Sequence, residues 1–175
     1  EDIALMKKYD VRVAHHPGSN MKLASGIAPV PKLLKAGVCT ALGTDGASSN
    51  NNLDMLEEMR LAALLHKVNT YDPLAVPALE AFKMATENGA RAIGLKKAGR
   101  LEAGYKADIV LFDMHDAAWT PQHDLLSLLV YSASSASVDT VMVNGRVIME
   151  KRTMLTLDEE RILYEAARCA ERLTK

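Results

Sequence analysis

The run Val38-Cys39-Thr40-Ala41-Leu42 is apolar, partly β-branched and pinned between Gly37 and Gly43, which makes it too short for a helix and well suited to a buried strand. Upstream, Val11-Arg12-Val13-Ala14 alternates in polarity until Pro17 ends it, and Pro31 to Ala36 reads as a short helix closed by Gly37. Strand, helix and strand in that order form a βαβ unit, so the two strands are expected to be parallel neighbours. The fold class is therefore α/β.

Beyond the second strand comes the loop Gly43-Thr44-Asp45-Gly46, continued by Ala47-Ser48-Ser49-Asn50-Asn51-Asn52. It places a carboxylate at the carboxyl end of a strand, where α/β folds build their sites. Asp45 is thus the leading candidate functional residue. The Asp45-Gly46 pair also fits a plain turn in which glycine supplies positive φ, and the residues alone leave both readings open.

With 175 residues, 49% of them hydrophobic, the chain can bury one ordinary core, and a net charge of -1 gives no field to attract nucleic acid. No apolar stretch approaches the roughly 20 residues that cross a bilayer, and Glu1-Asp2 opens the chain without a basic, apolar leader. A soluble cytoplasmic protein with no membrane partner is expected. The two cysteines, Cys39 and Cys169, lack the spacing of a zinc knuckle or redox pair and read as reduced core thiols.

Further along, Asn52 is a candidate cap for a helix whose Asp54, Glu57 and Glu58 suit its positive end and whose His66 and Lys67 suit the other. Its apolar positions Leu53, Leu56, Met59, Ala63 and Leu64 recur at helical spacing, and His66 reads as a solvated helix-end residue. A helix from about Pro77 to Ile93 would bury Leu79, Phe82, Ala85 and Ile93 before Gly94 closes it. After Gly99, residues 107–113 form a strand, and residues 141–149 form a hairpin around Asn144-Gly145. The connection from Met114 to Asp124 looks irregular, with His115 and His123 on the surface. Thr156-Leu157-Asp158-Glu159 has the pattern of a capping box for a last helix, whose inner face would carry Ile162, Leu163, Ala166, Ala170 and Leu173.

The run from His15-His16-Pro17-Gly18-Ser19-Asn20 through Ala28-Pro29-Val30, and the block Leu42-Gly43-Thr44-Asp45-Gly46 through Met59-Arg60, resemble the amidohydrolase superfamily. Within it they are most similar to the group that deaminates 5-methylthioadenosine and S-adenosylhomocysteine. The segment Gly99 to Val110 resembles the passage where such enzymes leave the barrel for a small β domain made by both chain ends. The resemblance implies the last two strands and helices of a (β/α)8 barrel over 1–98, part of the composite β domain over 99–155, and a C-terminal helix over 156–175.

A barrel needs roughly 250 residues, so the resemblance implies a C-terminal fragment of a longer enzyme. The family's His-x-His pair, its other metal histidines and its catalytic glutamate would lie upstream, and only its last-strand aspartate falls here, as Asp45. Asp45 would bind one divalent metal, zinc or iron, and act in catalysis and substrate binding. His15 matches the family histidine after the seventh strand, which either lines the substrate pocket or makes a structural hydrogen bond. Asn20 and Ser49 could reach the same mouth, with loop capping as their simpler task. The implied reaction is hydrolytic deamination of an adenine-type nucleoside, with guanine-type bases or triazines as the other substrate classes. The implied partner is the N-terminal remainder of the enzyme or a second copy, and the fragment alone would be an inert module.

Overall fold

Helix α1 (Asp2–Lys8) leads into β1 (Arg12–His15), and β2 (Cys39–Leu42) pairs with it in parallel, setting Arg12 opposite Cys39 and His15 opposite Leu42. The structure, a computed structural model, describes residues 1–174 and divides into two compact units. The first holds residues 1–105 and 114–137; the second holds 106–113 and 138 onward. Two helices cross between the strands, α2 (Pro17–Lys22) and α3 (Val30–Lys35). Pro17 therefore opens a helix as well as ending a strand, because the first helical position needs no N–H. Every residue of β2 is buried, and Gly37 takes the positive φ of 72° that turns the chain into it.

Over this sheet lies α4 (Met55–Thr70). Asp54, not Asn52, is its cap: the Asp54 carboxylate accepts the N–H groups of Leu56 and Glu57, while the Asn52 amide donates to the Glu57 side chain. Leu56, Met59 and Ala63 face the core, but Leu53 and Leu64 do not, and His66 is fully buried rather than solvated. The single helix expected near 77–93 is two, α5 (Ala78–Ala85) and α6 (Glu87–Ala92). They break at Thr86, whose hydroxyl donates back to the Phe82 carbonyl. Ala81 and Met84 are the buried positions, whereas Leu79 and Ile93 are exposed. After the irregular stretch, in which Trp119 is buried and His115 and His123 are exposed, α7 (Leu125–Tyr131) starts on an Asp124 cap. Arg60 of α4 ties it down by donating to the carbonyls of Val130 and Ala133.

The second unit is an antiparallel sheet of β3 (Ile109–Phe112), β4 (Val138–Val143), β5 (Arg146–Glu150) and β6 (Thr153–Met154), in that order. Asn144 and Gly145, at φ 50° and 80°, make the two-residue turn between β4 and β5. Then comes α8 (Glu159–Leu173), capped by Asp158 through the Arg161 N–H instead of by a Thr156 capping box. None of its residues is buried, and Ile162, Leu163 and Leu173 of the expected inner face are exposed. Cys39 is buried and Cys169 half-buried, both as free thiols. Among the described residues no helix is long and apolar enough to cross a membrane.

Candidate active site

Parallel pairing of β1 and β2 brings the segments beyond their carboxyl ends side by side. One is His15 to Asn20 and the other is Gly43 to Asn50. Asp45 lies in the second, exposed, and takes the left-handed conformation itself at φ 61°, whereas Gly46 does not have positive φ. Its Oδ2 accepts the Ser19 hydroxyl at 2.7 Å, and its Oδ1 accepts the Gly46 N–H at 2.8 Å. The Ser19 hydroxyl, then the Ser49 hydroxyl and the Gly46 N–H, hold this carboxyl down at about 2. It is ionised at every physiological pH. The loop is thus a turn in which Asp45, not Gly46, takes the positive φ, and it presents a hydrogen-bonded carboxylate.

Three partners of this loop were not singled out by sequence. Ser19, not Asn20, reaches Asp45, and it is 2% exposed. Asn50 donates to the Thr44 carbonyl at 2.9 Å and to Glu58 Oε1 at 2.7 Å. Glu58, on α4 and 1% exposed, also accepts the Gly18 N–H at 3.1 Å. Burial pushes the Glu58 carboxyl above its ordinary range, against the lowering by Gly18 and Asn50. Lys22 adds a tether from α2 by donating to the Ser48 carbonyl at 3.1 Å and to the Asn51 side chain. The signal available in sequence was Gly18 itself, since a Cβ there would lie 2.2 Å from Glu58 Oε1.

His15 turns the other way, into the core. Its Nε2 lies 3.1 Å from the Nε2 of His66 on α4, and the rings are tilted by 43°. Burial, with His66 and His16 adding to it, lowers His15 to about 4, and burial lowers His66 as well. Both rings are neutral at pH 7. No hydrogen bond among the described residues joins His15 to Asp45, so the structure does not bring these two candidates into direct contact. His16 instead rides over Gly43, where a Cβ would sit 2.8 Å from its Nε2.

A catalytic zinc site takes about three protein ligands. Among the described residues no group of three or more His, Cys, Asp or Glu side chains could hold a metal. The donor chemistry fits a narrower role: an exposed, ionised, hydrogen-bonded carboxylate such as Asp45 is chemically suited to be one ligand of such a site.

A family model described as "Amidohydrolase family" matches residues 1–148. The chain belongs to the amidohydrolase family. This amidohydrolase chain is 60% identical over 172 residues to a 5-methylthioadenosine/S-adenosylhomocysteine deaminase of Pelotomaculum thermopropionicum, covering 98% of this chain and 40% of that protein. It is 52% identical to a 5'-deoxyadenosine deaminase of Methanosarcina barkeri, again over 98% of this chain and 40% of the other. Among solved structures, it resembles a zinc-bound adenosine deaminase from Xanthomonas campestris with a TM-score of 0.96 at 37% identity, over 99% of this chain and 40% of that one. A zinc complex of an atrazine chlorohydrolase from Arthrobacter aurescens gives 0.89 at 30% identity, over 95% and 37%. The chain thus spans about 40% of the length of the curated relatives it matches.

Proposed function

We propose that this chain is the C-terminal part of a metal-dependent hydrolase that deaminates adenine-type nucleosides: 5-methylthioadenosine, S-adenosylhomocysteine or adenosine. The observation that carries this reading is the ionised carboxylate of Asp45, exposed at the carboxyl end of β2 and fixed by Ser19 from the neighbouring helix α2. Relatives named as nucleoside deaminases at 50–60% identity supply the substrate class. In this reading β1 and β2 are the last two barrel strands, and the second unit is this chain's share of a small β domain built by both chain ends.

Asp45 would be one ligand of a divalent ion, zinc or alternatively iron, whose other ligands lie outside this chain. Bound there, the ion lowers the pKa of water to about 7 and so makes hydroxide available at neutral pH. Asp45 accepts a proton from the attacking water and carries it to the departing amine. A C–O bond forms, the C–N bond breaks, and ammonia and a hypoxanthine nucleoside leave. The hydrogen bonds from the Ser19 hydroxyl and the Gly46 N–H keep Asp45 ionised and fix its orientation for both tasks. His15, buried and paired with His66, supports the site from the core as a structural hydrogen-bonding residue rather than touching substrate. The partner is the N-terminal remainder of the enzyme; without it the chain is inert or associates with its own copies.

A second reading, hydrolysis of a guanine-type base or a triazine, draws on the likeness to the atrazine chlorohydrolase. The same water attack on a heteroaromatic carbon serves it, but the relatives of higher identity favour the nucleoside. In the complete polypeptide, Asp45→Asn is expected to cut ammonia release from 5-methylthioadenosine or adenosine by at least about 100-fold while the fold persists, general acid–base catalysis alone being worth that much. Turnover near wild type would overturn the proposal. Faster release of chloride from a chlorotriazine than of ammonia from the nucleosides would select the second reading.

A further inference from the structure

Glu58 closes a ring of hydrogen bonds around the candidate site. Its Oε2 accepts the Gly18 N–H at 3.1 Å and its Oε1 accepts the Asn50 amide at 2.7 Å. The same amide nitrogen donates to the Thr44 carbonyl at 2.9 Å, and Asn50 Oδ1 accepts the Asn52 N–H at 3.2 Å. The orientation of Asn50 is therefore fixed, because an exchanged amide would lose all three partners. Thr44 precedes Asp45, Asp45 accepts from Ser19, and Ser19 follows Gly18, which returns the ring to Glu58.

Several features separate this arrangement from ordinary packing. A buried carboxylate is costly to keep, and an apolar side chain would fill the same space without that cost. Its two donors come from two different segments, the first turn of α2 after β1 and the loop after β2, and these are the segments that carry Ser19 and Asp45. The approach of Gly18 is close enough that a Cβ would also lie 3.0 Å from the Asn50 amide nitrogen, so the backbone itself is pressed against the clamp. Glu58 stands on α4, which Asp54 caps firmly one turn earlier.

We infer that Glu58 is a positioning residue: it holds the first turn of α2 and the loop after β2 at the spacing at which the Ser19 hydroxyl fixes the orientation of the Asp45 carboxylate. The inference rests on the reading of Asp45 given above as a metal ligand and proton carrier. Side chains that orient a ligating carboxylate change metal affinity or activity by about 10–100-fold when removed.

The test uses the complete polypeptide loaded with zinc and four variants: Glu58→Gln, Ser19→Ala, Asp45→Asn and, as a neighbouring carboxylate outside the ring, Glu57→Gln. Zinc affinity by chelator competition, kcat and KM separately, and the unfolding midpoint of the zinc-free protein are measured. Glu58→Gln keeps the volume but sets an amide N–H against one of the two donors, so zinc affinity and kcat are each expected to fall about 10–100-fold, with KM moving far less. Ser19→Ala should act in the same direction, and Glu57→Gln should change neither. A lowered unfolding midpoint for Glu58→Gln with zinc affinity and kcat at wild-type values would overturn the inference, since that is what structure alone predicts. Should Glu58→Gln fail to fold, Ser19→Ala decides, and unchanged zinc affinity and kcat there would overturn it. If Asp45→Asn itself keeps zinc and turnover, the functional reading fails; if Asp45→Asn loses both while Glu58→Gln and Ser19→Ala change neither, only the positioning role fails.

Discussion

His15 and His66 share a single Nε2 to Nε2 contact of 3.1 Å, so when both are neutral one ring donates and the other accepts. Protonating either would leave a charge in a site that is closed to water. The sign of the pH effect follows. His15 is held at about 4 when folded against 6.5 when free, so between these values the unfolded chain takes up protons that the folded chain refuses. Stability is fully present above about pH 6.5 and is expected to decline as the pH falls toward 4, read as the unfolding midpoint across that range. His66→Leu alone leaves His15 without its partner and should cost about 1–3 kcal/mol, whereas adding His15→Leu should cost less than the sum of the two single changes. A midpoint that is flat from pH 7 to 4, or strict additivity, would mean that the pair is not coupled. Nothing in the sequence announced this pair. His66 stands beside Lys67 near a helix end, where solvation is the default, and only the packing of α4 over β1 puts it indoors. Asp45 was legible because strand and loop chemistry coincide within a few residues, whereas Ser19, Asn50 and Glu58 come together only through pairing of distant segments.

Helices and strands were legible in proportion to how local their signals are. The Asn144-Gly145 turn needs two residues that tolerate positive φ, and the pair provides them whatever surrounds it. Caps are less exclusive, since Asn52 and Asp54 both have suitable side chains and the choice depends on where the loop from β2 delivers the chain. Asp54→Ala removes the acceptor of two N–H groups and should cost about 1 kcal/mol in denaturant unfolding. Asn52→Ala at the displaced cap position should cost clearly less, and equal losses would contradict the assignment. The division of α5 from α6 had no clear sequence mark, because Thr86 is acceptable inside a helix and breaks it only where its hydroxyl turns back on Phe82. The polarity pattern of α8 is strong, yet its apolar face is exposed, which shows that periodicity states which side could be buried and not what covers it.

At the scale of the whole chain, the proposed site would draw its remaining ligands from outside these residues, since among the described residues no group of three or more candidate ligands could hold a metal. The purified chain, dialysed against a weak chelator, is expected to retain far less than one zinc, and the complete polypeptide about one, as a mononuclear catalytic site requires. Elemental analysis of both decides it, and stoichiometric metal on the chain alone would mean that copies of it complete the site together. By itself the sequence determined the α/β class, the two parallel strands, the Asn-Gly hairpin and the placement of Asp45, because each depends on hydrophobic periodicity or turn chemistry within a few residues. Tertiary structure decided which histidine is buried, which serine reaches Asp45 and why a glutamate sits in the core. Those facts depend on contacts between positions 26 to 51 residues apart, and such contacts exist only once β1, β2 and α4 have packed.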